Sequence, residues 1–287
     1  MGKTTGIAWC TATWNPWQGC TKVSHGCKNC YMYTEKGRYG QDPTKVVRSK
    51  TTFGDPIKWK MPERIFTCSW SDFFHEDADA WRNAAWDIID RTRQHTYLIL
   101  TKRTERIRAH LPWSTAPWPH VWLGTSIESS DYLWRVEELS KIPSTIRFVS
   151  AEPLLGPLDL TSIRWPHYVD GETIDAFGSI YEGDELIGIS FEPGIHWVIV
   201  GGESGPGARP CNVAWIGSIV AQCQATDVPV FVKQLGTKPV WNHIVPGCSV
   251  REFLEPLVLR DRKGGDISEF PPDLRIREFP NAGMVSC

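Results

Sequence analysis

Residues 96–103 read TYLILTKR, an apolar and β-branched run that stops abruptly at Thr101, Lys102 and Arg103. A short continuous run of this kind reads as a strand buried on both faces, and its polar end marks the exit from the core. The pattern recurs on either side. Arg64–Cys68 (RIFTC) is followed by Ser69–Asp72, His120–Leu123 (HVWL) by Gly124–Glu128, and Ile146–Val149 (IRFV) by Ser150–Pro153. His196–Val200 (HWVIV) is followed by Gly201–Gly205, and Pro229–Val232 (PVFV) by Lys233 and Gln234. Between several of these runs lie helical spacings: Trp81, Ala85, Ile88 and Ile89; Leu133, Val136 and Leu139; Val213, Ile216, Val220 and Cys223. Alternating strands and helices argue for parallel βα units. In a parallel barrel the strand C-termini share one face, and that face carries the active site.

The 287 residues suit one α/β core with additions, and 41% hydrophobic with 22% charged residues excludes a mostly disordered or fibrous chain. The expected organisation is a partial or modified TIM-type (β/α) barrel over residues 1–238, with a hairpin-like, lid-forming insertion at about 164–194. A C-terminal extension, 239–287, is expected to pack on the barrel. The basic run Arg260–Gly265 (RDRKGG) in that extension reads as a solvated loop. With 31 Lys+Arg against 33 Asp+Glu, the net charge of -2 excludes a protein that wraps polyanions, and leaves room for a local basic patch. No window approaches the ~18 apolar residues of a membrane span, so the expectation is a soluble, cytoplasmic protein without a membrane partner. Among 15 Trp, the pairs Trp14/Trp17 and Trp113/Trp118 are either stacking surfaces for bases or core.

Nine cysteines, an odd number, make a poor disulfide framework in a reducing compartment. Cys10, Cys68, Cys211, Cys223, Cys248 and Cys287 are scattered, whereas Cys20, Cys27 and Cys30 share the loop WNPWQGCTKVSHGCKNCYMY at Trp14–Tyr33. Their Cys-x6-Cys-x2-Cys spacing can ligate a soft metal centre. Zinc needs a fourth ligand, which His25 or Cys10 can supply. A four-iron cluster on three cysteines keeps one iron open. The loop follows a first strand near Ala12–Trp14, which puts it at the same edge as the polar strand ends and favours a [4Fe-4S] cluster that a chelating substrate approaches.

This loop, followed by βα units, resembles the radical S-adenosylmethionine (SAM) superfamily, although the usual spacing there is Cys-x3-Cys-x2-Cys. A closer resemblance is to an uncharacterised, phage- and prophage-associated family of radical SAM-like proteins. Thr13–Asn15, Gly19–Ser24, Gly26–Cys27, Asn29–Tyr31, Ser71–Glu76 (SDFFHE), Leu100–Arg103, Glu152–Pro153, Gly201–Pro210 (GGESGPGARP) and Lys233–Gln234 carry it. The resemblance implies a cluster on Cys20, Cys27 and Cys30, SAM as cofactor, an electron donor, and reductive cleavage to a 5′-deoxyadenosyl radical. It implies adenine packing for Tyr31, and contacts to the methionine ammonium for Ser69, Ser71 and Asp72. Ser126 and Glu128 fall to the ribose, and Lys102 and Arg103 to the SAM carboxylate or a substrate phosphate. Asp72 as a helix cap is the competing reading. Glu152, Glu203 and Lys233 are the substrate-side candidates. The substrate class expected is a nucleotide or nucleic-acid component, and the competing function is a zinc-stapled, non-catalytic nucleic-acid-binding protein.

Overall fold

The computed structural model describes residues 5–166, 171–190, 194–243 and 253–281. The fold is mixed α/β on one large seven-stranded sheet: β1 (Ala12–Trp14), β2 (Arg64–Thr67), β3 (Thr96–Thr101), β4 (Val121–Ser126), β5 (Ile146–Ala151), β6 (Trp197–Gly201) and β7 (Val230–Gln234). Sheet order follows chain order, as right-handed βα crossovers generate it. The pairs β1–β2, β2–β3, β3–β4 and β6–β7 are parallel. All six runs read from the sequence become strands. Every residue of β4 and β6 is buried, which is why these strands read as continuous runs rather than alternations. Helices α1 (Tyr31–Arg38), α2 (Asp79–Arg91), α3 (Trp134–Ser140) and α4 (Val213–Ala225) are the principal ones. Among them, α2 buries Ala85, Ile88 and Ile89, and α4 buries Val213, Ile216 and Val220.

The described residues divide into two compact units, one with residues 5–126 and 138–148, the other with 127–137 and those from 149 to 281. In the first, Trp9, Trp14, Trp17, Trp86 and Trp122 are buried, whereas Trp113 and Trp118 are half-buried. Trp14 and Trp17 are 1% and 0% exposed, with their Nε1 groups donating to the carbonyls of Phe53 and Asp72 at 3.0 Å. They offer no face to a base, so of the two readings of this pair core is the one that holds. Trp113 and Trp118 pack edge-on to Trp86, at 5.6 and 5.9 Å between centroids.

In the second unit, the insertion is a four-stranded antiparallel sheet of Arg164–Pro166, Glu172–Asp175, Ser179–Glu182 and Glu185–Ile189, rather than one hairpin. Buried Asp175 ties its turn by accepting from the N–H groups of Phe177 and Ser179, both at 2.9 Å. The C-terminal part lines edge strand β7 with backbone bonds, Val232 N–H to Ile276 O and Glu278 N–H to Val230 O, which covers an otherwise open edge. The basic run is a turn organised by acceptors: Glu269 takes the N–H groups of Arg260 and Asp261, both at 2.9 Å. Cys248 and Cys287 lie outside the described residues. No helix among those described is long and apolar enough to cross a membrane.

Gly124 in β4 is fixed by close packing, since a Cβ there would stand 2.4 Å from the fully buried ring of Phe148. Gly124→Ala should lower unfolding free energy by about 1–3 kcal/mol, read as a lower urea midpoint.

A candidate site at the cysteine loop

The loop leaves β1 through Asn15, whose Oδ1 accepts the Trp70 N–H at 2.7 Å, and pairs Trp17–Gln18 antiparallel with Val47–Arg48. Gly19 then turns with φ 99°, and a Cβ there would lie 2.2 Å from the Lys45 carbonyl oxygen, so only glycine fits. From here the backbone is held on several sides. Gly19 N–H donates to Trp70 O at 3.0 Å, and Ser71 Oγ donates to Gly19 O. Cys20 N–H donates to Pro43 O at 3.0 Å, and Tyr33 OH donates to Cys20 O at 2.6 Å.

The central element of this support is Arg103, 4% exposed at the end of β3. All five of its N–H donors are used inside the protein. Nε reaches Glu76 Oε2 (3.3 Å), Nη1 reaches Cys20 Sγ (3.6 Å) and Asp72 Oδ2 (3.4 Å), and Nη2 reaches Thr21 O (3.2 Å) and Thr21 Oγ1 (2.6 Å). Arg103 therefore supports the cysteine loop, with each of its donors engaged inside the protein. Asp72 is engaged as fully. Its Oδ1 accepts from Thr101 Oγ1 (2.7 Å) and Phe74 N–H (2.9 Å), and its Oδ2 accepts from Lys102 N–H (3.0 Å) and Arg103. It caps the turn after β2 and locks that turn to the end of β3.

Fully buried His75 completes the cradle. Its Nδ1 faces the Asp77 N–H at 3.2 Å, and its Nε2 faces both the Thr21 N–H at 3.3 Å and Thr21 Oγ1 at 3.0 Å. Burial, reinforced by the Arg103 charge, lowers its pKa and keeps it neutral.

Each of the three thiols has a hydrogen-bonding partner. Burial, with Asp72 adding to it, pushes the Cys20 thiol up to about 12, against the pull of Arg103. Cys27, in the 3-10 turn His25–Cys27, has Ser24 Oγ at 3.5 Å from its sulfur. Cys30 is the N-cap of α1; burial raises its pKa, and the N–H groups of Met32 and Tyr33 oppose that rise. Such donors stabilise anionic sulfur and are the surroundings a thiolate ligand needs. Among the described residues no three His, Cys, Asp or Glu side chains converge tightly enough for a single metal ion. A four-iron cluster asks for a wider set, because each thiolate binds a different iron. The soft donors and the Arg103 and α1 N–H groups beside them suit thiolate ligands of such a cluster. Cys10, a candidate fourth ligand for zinc, lies before β1 rather than after it, with its thiol toward Ile7 O at 3.8 Å.

Of the other expected residues in this unit, Tyr31 is 51% exposed and its hydroxyl donates to Ser69 O. Ser69 Oγ meets Asn15 Nδ2 at 3.0 Å, and Ser126 is buried at the end of β4. Thr21, His75, Glu76 and Tyr33 complete the cradle and were not singled out as site residues, although SDFFHE contains two of them.

In the second unit the expected residues form three separate ion pairs. Glu128, 0% exposed, meets Arg135 Nη1 at 3.3 Å. Glu203 is gripped by Arg209 through its backbone N–H and Nε (both 2.8 Å) and Nη2 (2.6 Å). Lys233 Nζ donates to Glu152 Oε1, with both side chains partly exposed. The glycines before Glu203 serve packing: a Cβ on Gly202 would lie 2.3 Å from the Leu235 carbonyl oxygen.

A parallel α/β sheet carrying a clamped three-cysteine loop at the end of its first strand defines the class. The chain belongs to the family described as Protein of unknown function (DUF5131), whose model matches residues 4–255. No curated protein and no solved structure matches it.

Removing Asp72 leaves the buried Arg103 guanidinium short of its buried counter-charge. Asp72→Ala should lower unfolding free energy by about 3–5 kcal/mol. Glu76→Ala, at a side chain 52% exposed, should cost within about 1 kcal/mol, both read from urea unfolding.

Proposed function

We propose that this chain is an enzyme of the radical SAM type, with Cys20, Cys27 and Cys30 holding a [4Fe-4S] cluster and a nucleotide or nucleic-acid component as substrate. The observation that carries the reading is the cradle: three sulfurs on one loop after the first strand, with hydrogen donors from Arg103, Ser24 and the start of α1 in reach. The chemistry supplied by such a cluster with SAM is one-electron reductive cleavage of the sulfonium to a 5′-deoxyadenosyl radical, and it requires an electron donor.

The chain's own part is placement. Arg103 and His75 fix Thr21, and Tyr33 fixes the Cys20 carbonyl, so the loop is set before any ligand arrives. Tyr31, half exposed with its hydroxyl tethered to Ser69, is placed to pack on the adenine. Ser69 and Ser71 lie on the turn after β2, where the ammonium group is received. Lys102 is assigned to the SAM carboxylate, because Arg103 is fully used. Ser126 serves the ribose, and in the second unit the partly exposed Glu152–Lys233 pair is the candidate for proton transfer.

Anaerobic incubation with SAM and dithionite should yield 5′-deoxyadenosine from the wild type. Cys20→Ala, Cys27→Ala and Cys30→Ala should each abolish it and lose most of the iron, while Cys10→Ala retains both. Full iron in Cys20→Ala with loss in Cys10→Ala would overturn the ligand assignment.

A further inference from the structure

Beside the end of β1 the first unit has a cleft of about 230 Å3 whose lining includes Thr13, Gln18, Lys50, Thr51 and Thr52. Among the described residues none of these five side chains has a hydrogen-bond or ion-pair partner. Asp55, also on the lining, pairs with Lys58 Nζ at 2.8 Å, and Lys50 is the cation on the lining. Three cations elsewhere are spent: Arg103 on the cysteine loop, Arg209 on Glu203 and Lys233 on Glu152.

We propose that this cleft binds the phosphate monoester of a small phosphorylated sugar. Three hydroxyls, one amide and one ammonium suit a tetrahedral anion with several acceptors and neighbouring sugar hydroxyls, whereas a planar carboxylate is matched by an arginine fork. A nucleobase has no place to stack, because the lining aromatic, Trp14, is 1% exposed and bonded through Nε1 to Phe53 O. The volume is below the roughly 300–1,000 Å3 of sites for drug-sized ligands, which fits a sugar phosphate rather than a whole nucleotide. The cleft lies at the carboxyl end of a parallel strand, where α/β sheets receive ligands, and Gln18 stands two residues before Cys20. As the phosphate-holding part of the substrate site, the cleft rests on the radical SAM reading; its binding does not, and is measurable without iron.

The test is titration calorimetry on the full chain with ribose 5-phosphate, ribose, inorganic phosphate and a single-stranded oligonucleotide, with iron content and radical-dependent 5′-deoxyadenosine measured in parallel. Ribose 5-phosphate should bind saturably, and more tightly than ribose or inorganic phosphate. Lys50→Met should weaken it by about tenfold or more and Thr51→Val by less, while Lys263→Met leaves it unchanged. Circular dichroism confirms that each variant is folded. No saturable binding, affinity indifferent to Lys50→Met, or tighter binding of the oligonucleotide overturns the proposal. A chain that binds the ester but yields no 5′-deoxyadenosine keeps this inference and loses the radical reading, and the converse result does the reverse.

Discussion

A buried guanidinium is the constraint on which the site depends. Taking the Arg103 charge out of water is costly unless every donor is met and a counter-charge lies near, and Asp72, Glu76 and the Cys20–Thr21 segment together meet both conditions. The same bonds that satisfy Arg103 join the first-strand loop, the turn after β2 and the end of β3. Position along the chain matters little here, since 83 residues separate Cys20 from Arg103. A parallel sheet brings these segments together because its strand ends align at one edge.

The strands were legible because burial on both faces removes polar residues from them, and that signal survives in a single sequence. The helices were legible for the corresponding reason at the other period. The insertion showed its turns through glycines and acidic residues, but not its number of strands, because four short antiparallel strands differ little in local pattern from a hairpin with a long loop. For a tryptophan at a strand end core packing is the commoner role and a base platform the rarer one, and Trp14 and Trp17 are core, with their N–H groups satisfied by distant carbonyls.

Charge was the least legible property. Arg103 and Glu203 sit at strand ends in the pattern expected of ligand-binding groups, yet each is held by a partner inside the protein. The partner of Glu203, Arg209, is six residues away and could have been weighed from spacing alone. Those of Arg103 lie far off in sequence and could not. Lys50 lies in a polar stretch without strand or helix character, and only the fold sets it beside the hydroxyls of Thr13, Thr51 and Thr52. Cations that the fold consumes and cations that it leaves for a ligand look identical in a sequence, and only the hydrogen-bond inventory separates them.

Mössbauer spectroscopy of anaerobically isolated, iron-57-labelled protein, with and without SAM, addresses the central claim most directly. The account predicts about four iron atoms per chain in a [4Fe-4S] cluster, with one iron distinct from the others and altered when SAM is added. Zinc in place of iron, or a cluster whose irons all ignore SAM, would contradict it.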